Sequence, residues 1–147
     1  MPLFTLERIV PLPPGEAWRR LTDWPRHGDV VPLTRITVLT PGPAGAGTRF
    51  TARTGIGPLG FEDPMEVTVW LPPDDDEPGL CRLEKQGRVV LGWAEIEVRP
   101  APGGHSRVVW REDLRVRSLP RFLDGLVEVA ARRMFGRAVN RLLRRRP

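Results

Sequence analysis

Two carboxylates stand where apolar side chains belong. Over residues 106–116 an alternating pattern puts Val108, Trp110, Leu114 and Val116 on one face together with Glu112, and Arg107, Arg111, Asp113 and Arg115 on the other. Over residues 61–71, Phe61, Met65, Val67 and Val69 share a face with Asp63. The apolar face of a one-sided strand is the buried one. A carboxylate carried inward with it must find a partner or take up a proton. Glu112 and Asp63 are therefore candidates to hold a polar ligand group, or to act as acid or base. The plainer alternative is that each accepts hydrogen bonds from backbone or arginine and only shapes the core. Asp63 precedes Pro64, a position at which a bulge would turn it outward.

His27 is the third candidate. It follows Trp24 and Pro25, and it reads either as a polar gate or acid–base group or as a capping or surface histidine. His105, in Pro102-Gly103-Gly104-His105-Ser106, reads as a hairpin tip. Other chemistries lack their residues. Two histidines and one cysteine, far apart in sequence, make no metal site. The run Asp74-Asp75-Asp76-Glu77 lacks the alternation and glycine of a calcium loop, so neither metal nor cofactor is expected. Cys81 has no histidine at a catalytic spacing, and no Gly-x-Ser-x-Gly elbow exists. Tyrosine is absent, and the serines are Ser106 and Ser118 alone. Gly42 to Gly47 lacks the Lys-Ser/Thr of a phosphate loop and opens a strand.

These side chains need elements to hold them. Strands are expected at residues 3–10, 34–39, 48–54, 61–71, 80–85, 88–98 and 106–116, divided by Pro- and Gly-rich turns, with Gln86 and Gly87 as a tight hairpin. Residues 15–22 read as a short helix, with Ala17, Trp18 and Leu21 on one side, and residues 23–28 as a turn or second short helix. Residues 120–146 read as a long helix, Ser118 its N-cap, with Leu123, Leu126, Val127, Ala130, Met134, Ala138 and Leu142 on one face. Short loops make the strands one antiparallel meander, and only the last helix is large enough to cover its concave face. In the sixth strand Gly92 and Ala94 are small, which leaves room for a helix or ligand.

A chain of 147 residues fits one domain, 1–147, with a real core. The net charge is +5. From Pro120 onward eight arginines face Asp124 and Glu128, a charge of +6 that leaves the rest near −1. The plain reading is a solvated helix end, with Arg144, Arg145 and Arg146 at the negative pole of the helix dipole; the sharper one is an anionic contact. No aromatic residue interleaves with that run, so nucleic acid is not expected. Of the 23 basic residues 22 are arginine, which reads as codon bias of a GC-rich bacterial genome. A single cysteine excludes an intramolecular disulfide and suits the cytoplasm. The N-terminal residues lack the features of a signal peptide, and no apolar run is long enough to enter a membrane stably.

The order of elements resembles the SRPBCC superfamily of START/Bet v 1-like helix-grip proteins, and within it the bacterial polyketide cyclase/dehydrase group. The resemblance is carried by Pro14-Gly15-Glu16-Ala17-Trp18 followed by Leu21-Thr22-Asp23-Trp24, by Gly47-Thr48-Arg49-Phe50, and by Trp110-Arg111-Glu112-Asp113 before the long helix. It implies an α+β helix-grip fold: a curved seven-stranded antiparallel sheet, two short helices after strand one, and a long C-terminal helix over the concave face. It also implies a cavity for lipids, polyketides or other apolar molecules. Relatives that cyclise polyketides commonly use arginine, histidine, tyrosine or serine groups. Without tyrosine and with serines poorly placed, no catalytic set carries over residue by residue.

The leading expectation is binding or transport of a small hydrophobic ligand. Trp110, Met65, Val67, Ala94, Ile96, Met134 and Ala138 would form the wall, and Glu112, with Asp63, His27 and Arg53, would orient the ligand. The alternative is a metal-free cyclase/dehydratase in which Glu112 or His27 moves the proton. A third possibility is an interaction module, a homodimer through Phe122, Val129, Val139 and Leu143 of the long helix with Trp93 exposed nearby.

Overall fold

The computed structural model describes residues 4–117 and 119–144. The chain runs β1 (Phe4–Val10), α1 (Pro14–Leu21), α2 (Trp24–Val30), β2 (Thr34–Val38), β3 (Arg49–Ile56), β4 (Leu59–Leu71), β5 (Gly79–Lys85), β6 (Val90–Ala101), β7 (His105–Val116) and α3 (Asp124–Leu143). The strands form one antiparallel sheet in the order β1-β7-β6-β5-β4-β3-β2. Strands β2 to β7 meander in sequence order. Helices α1 and α2 carry the chain from β1, on one edge, to β2, on the other. This is the helix-grip architecture expected from the sequence.

Local chemistry explains the elements. Pro14 starts α1, where a missing N–H costs nothing, and Ala17, Trp18 and Leu21 are its buried face. Pro25 does the same at the start of α2, whose Trp24 is buried. Strand β4 contains a bulge between Val67 and Val69. The extra residue flips the alternation. Trp70 therefore turns in and meets the Trp18 ring edge-on at 5.1 Å, while Val69, expected on the inner face, loses that place. Gly92 has φ +128°, and a Cβ there would lie 1.9 Å from the Asp113 carbonyl oxygen. The neighbouring strand, not a ligand, requires that glycine. The β5–β6 connection is longer than a two-residue hairpin: Gln86 donates its backbone N–H to the Pro64 carbonyl at 2.8 Å, and β6 begins only at Val90.

The long helix differs most from expectation. Pro120 is extended, a short 3-10 turn covers Arg121–Leu123, and α3 proper holds 20 residues, a length of about 30 Å. The Ser118 cap and the placement of Arg145 and Arg146 lie outside the described residues. The two halves of α3 have different surroundings. In the C-terminal half Ala138, Val139, Leu142 and Leu143 are all buried between the sheet and α1. In the N-terminal half Leu126, expected inward, is 67% exposed, and Phe122, in the 3-10 turn before the helix, is 84% exposed. The proposed dimer patch is thereby corrected. Val139 and Leu143 are core residues because α1 packs on that side of α3, which leaves Phe122 and Val129 exposed. Trp93 is half-buried under the Arg82 guanidinium, 4.7 Å from its ring. No helix among the described residues is long and apolar enough to cross a membrane.

Candidate functional site

Beneath the N-terminal half of α3 the sheet and helix do not meet. A cavity of about 330 Å³ lies between them. Strands β3 to β5 supply Phe50, Ala52, Asp63, Met65, Leu83 and Lys85 to its wall, and β7 supplies Trp110 and Glu112. Helix α2 closes one side with Trp24 and His27, and α3 roofs it with Val127, Ala130, Met134 and Phe135. Several aromatic rings stand among the aliphatic side chains of the wall. Trp24 stacks on Phe50 at 4.9 Å, His27 lies 5.8 Å from Trp110, and Trp110 lies 5.9 Å from Phe135.

One end of this apolar space is ionic. Lys85 donates from Nζ to Asp63 Oδ2 at 2.7 Å, with both side chains buried. The register explains how they meet. Lys85 lies opposite Met65 in the β4–β5 ladder, so Asp63, two residues along β4, is its diagonal neighbour on the same face. Glu112 belongs to β7, one strand further from β5. Between them stands Ala94, which is opposite Leu83 on one side and Glu112 on the other. A methyl group there leaves the ammonium and the second carboxylate open to each other's field. Phe4 flanks Glu112 from β1.

The electrostatics follow from this burial. Removal from water pushes the Glu112 carboxyl up to about 7; Lys85 opposes that rise and Asp63 adds to it. The Trp110 indole N–H opposes it slightly, although its geometry falls short of a hydrogen bond. Burial alone would lower Lys85, but Glu112 and Asp63 outweigh it, and the ammonium is held above its ordinary value. It is thus a cation, not a free amine. His27 is lowered by burial and stays neutral near pH 7. Its Nε2 lies 2.7 Å from the Leu21 carbonyl oxygen, which can only accept, so Nε2 carries the proton and Nδ1 is left as an acceptor. Among the described residues, four buried polar atoms of the wall have no hydrogen-bond partner: Asp63 Oδ1, Glu112 Oε2, and the Nε1 of Trp24 and Trp110. Cys81 is fully buried, its thiol pushed up to about 12, and it is chemically quiet.

The structure brings together Glu112, Asp63, His27, Trp110, Met65 and Met134 around one space. Asp63 faces inward despite Pro64, because the β4 bulge falls later in the strand. Val67, Ala94, Ile96 and Ala138 lie elsewhere: they are packed in the solid core beside the cavity and do not line it. Arg53 is exposed on the opposite face of β3 and donates to the Gly57 carbonyl oxygen at 2.8 Å. Sequence reasoning missed Lys85. Two signals point to it. It alternates with Cys81 and Leu83 on the inner face of β5, and it is the lone lysine among 23 basic residues. Among the described residues, no cluster of three His, Cys, Asp or Glu is placed to hold a metal ion.

A site of this kind can do two things. It can hold an apolar body against aromatic walls, and it can exchange a proton near neutrality through a carboxyl screened from water. Comparison with known proteins agrees with the architecture. A hypothetical protein of Helicobacter pylori superposes with a TM-score of 0.72 at 16% identity, over 95% of this chain and 84% of that one. Ara h 8.0201 gives 0.62 at 13%, over 95% and 96%. The Zhui aromatase/cyclase from a Streptomyces species gives 0.56 at 16%, over 95% and 84%. At such identities the likeness is one of fold. No curated protein sequence matches the chain. The model of the family described as polyketide cyclase / dehydrase and lipid transport matches residues 1–145, and the chain belongs to that family.

Proposed function

We propose that this protein binds a small, largely apolar molecule between the sheet and α3, with the ligand's polar end at Lys85, Asp63 and Glu112. One observation carries the reading: an apolar, aromatic-walled space of about 330 Å³ that ends on a buried ion pair and a second carboxyl. A purely structural core at this position would be filled with side chains to the density of the rest. Family membership supports an apolar ligand in general terms. The buried thiol of Cys81 suits a reducing cytoplasm as the setting. Trp24 and Trp110 lie in the wall and report directly on occupancy. Titration with a panel of long-chain alcohols, fatty acids and polycyclic aromatics is expected to give a saturable change in tryptophan fluorescence. Silence across the whole panel would contradict the proposal.

A second reading is favoured by the Glu112 carboxyl near 7. Such a group is matched to proton transfer at neutral pH. The same cavity would then hold a poly-carbonyl substrate while Glu112 moves the proton for ring closure and loss of water, with His27 Nδ1 as a second acceptor. Under this reading Glu112→Gln abolishes turnover and retains binding. Equal turnover in the variant would exclude it.

A further inference from the structure

The polar end of the cavity is built to receive hydrogen as well as to give it. Lys85 uses its ammonium on Asp63 Oδ2, and the opposite oxygen, Asp63 Oδ1, is buried without a hydrogen-bond partner among the described residues, as is Glu112 Oε2. On the same wall the indole N–H groups of Trp24 and Trp110 are buried donors with no hydrogen-bond acceptor among the described residues. Groups left so are costly, and a ligand that pairs them recovers that cost. A hydroxyl does both tasks at once: its hydrogen goes to a carboxylate oxygen and its oxygen accepts from an indole. A carboxylate only accepts, and it adds negative charge where two carboxyls already share one ammonium. Poor solvation at this depth makes the added charge more costly. The rest of the wall is apolar, aliphatic side chains such as Leu83, Leu114 and Met134 together with two flat ring pairs, Trp24 on Phe50 and Trp110 beside Phe135.

We propose that the ligand is a neutral alcohol or phenol on an apolar, ring-containing body, its hydroxyl read by Asp63, Glu112 and Trp110, and that the site discriminates against carboxylates of the same shape. This rests on the cavity being a ligand site, as argued above. Three probes with one ring system separate the terms: naphthalene, 2-naphthol and 2-naphthoate, titrated calorimetrically into the full chain at about pH 7.5. The expected order is 2-naphthol tighter than either of the others by about tenfold. Naphthoate or naphthalene binding as tightly as naphthol overturns the hydroxyl assignment while leaving the cavity a ligand site. Failure of all three overturns both.

A pH series on the unmodified protein gives an independent arm. The titratable groups around Glu112 are Lys85 from β5, Asp63 from β4 and His27 from α2 in the cavity wall, and Asp113, next to it in β7 on the opposite face of the sheet. Strand β1 presents Phe4, and α3 presents Val127, Met134 and Phe135, none of them charged. Between about pH 8.5 and 5.5 Glu112 takes up a proton, so naphthoate binding strengthens while naphthol binding holds nearly constant. Glu112→Gln should raise the naphthoate affinity at the alkaline end toward its acid value. A naphthoate affinity that does not vary with pH would overturn the proposal.

Discussion

The two ends of the grip use the same helix in opposite ways. At the C-terminal half of α3, Ala138, Val139 and Leu142 share one buried cluster with Ile96, Val98 and Val108 of the sheet and with Trp18 and Leu21 of α1. Under the N-terminal half, Val127, Ala130 and Met134 face Met65, Lys85 and Glu112 across open space. Both short helices pack on α3, α1 at the solid end and α2 beside the hollow one. What differs is what each contributes: α1 adds Ala17, Trp18 and Leu21 to the buried cluster, whereas α2 holds Trp24 and His27 in the cavity wall. The lesson is that stability and ligand capacity are segregated along one helix: the solid end anchors the helix, and the hollow end carries polar groups that a fully packed core would not tolerate.

That contrast can be broken in order of effect. The largest loss is expected from Lys85→Met, which leaves Asp63 and Glu112 buried without their cation and should cost about 3–5 kcal/mol in denaturant unfolding. Leu142→Ala follows, about 3 kcal/mol, because a fully buried leucine at the solid end leaves a void that cannot collapse; affinity of the folded fraction for an apolar probe should be unchanged. Third is the pH dependence set by Glu112. Its carboxyl is raised in the folded state, so the folded protein binds that proton more tightly than the unfolded chain does. The stabilisation is complete below the ordinary carboxyl range, and about 3 kcal/mol is lost as pH rises toward about 7. Glu112→Gln should flatten that slope in unfolding curves recorded across the window. The smallest effect is Met134→Ala, about 1 kcal/mol or less, since the side chain borders the cavity and is only half-buried. Its consequence belongs to binding: a larger cavity should shift the preferred probe toward bulkier molecules in the fluorescence titration.

Much of this contrast was legible before the structure, and the parts that were not share a cause. Period-two alternation exposed Glu112 and Asp63, because an acid on an apolar strand face violates a local pattern. The same alternation in β5 carries Lys85 inward, yet a lysine at the end of a short strand also reads as a solvated terminus; only the neighbouring β4 register gives it Asp63. The wall residues Val67, Ala94 and Ile96 lie on the inner face as expected, but pattern fixes the face of a sheet and not which stretch of that face is covered. The β4 bulge has no one-residue signature, so the alternation beyond Val67 came out inverted. The helix faces failed for a related reason: a helix packed by α1 on one side and the sheet on another buries two stripes, and a single-stripe reading put Val139 and Leu143 outside.

The central claim is that α3 roofs an apolar cavity at one end and a filled core at the other. A crystal of the protein under xenon pressure reads this directly, because xenon enters dry apolar cavities irrespective of the natural ligand. The account predicts xenon beside Met65, Trp110 and Met134 and none beneath Leu142. No xenon at the first position, with side chains closed across it, would contradict it.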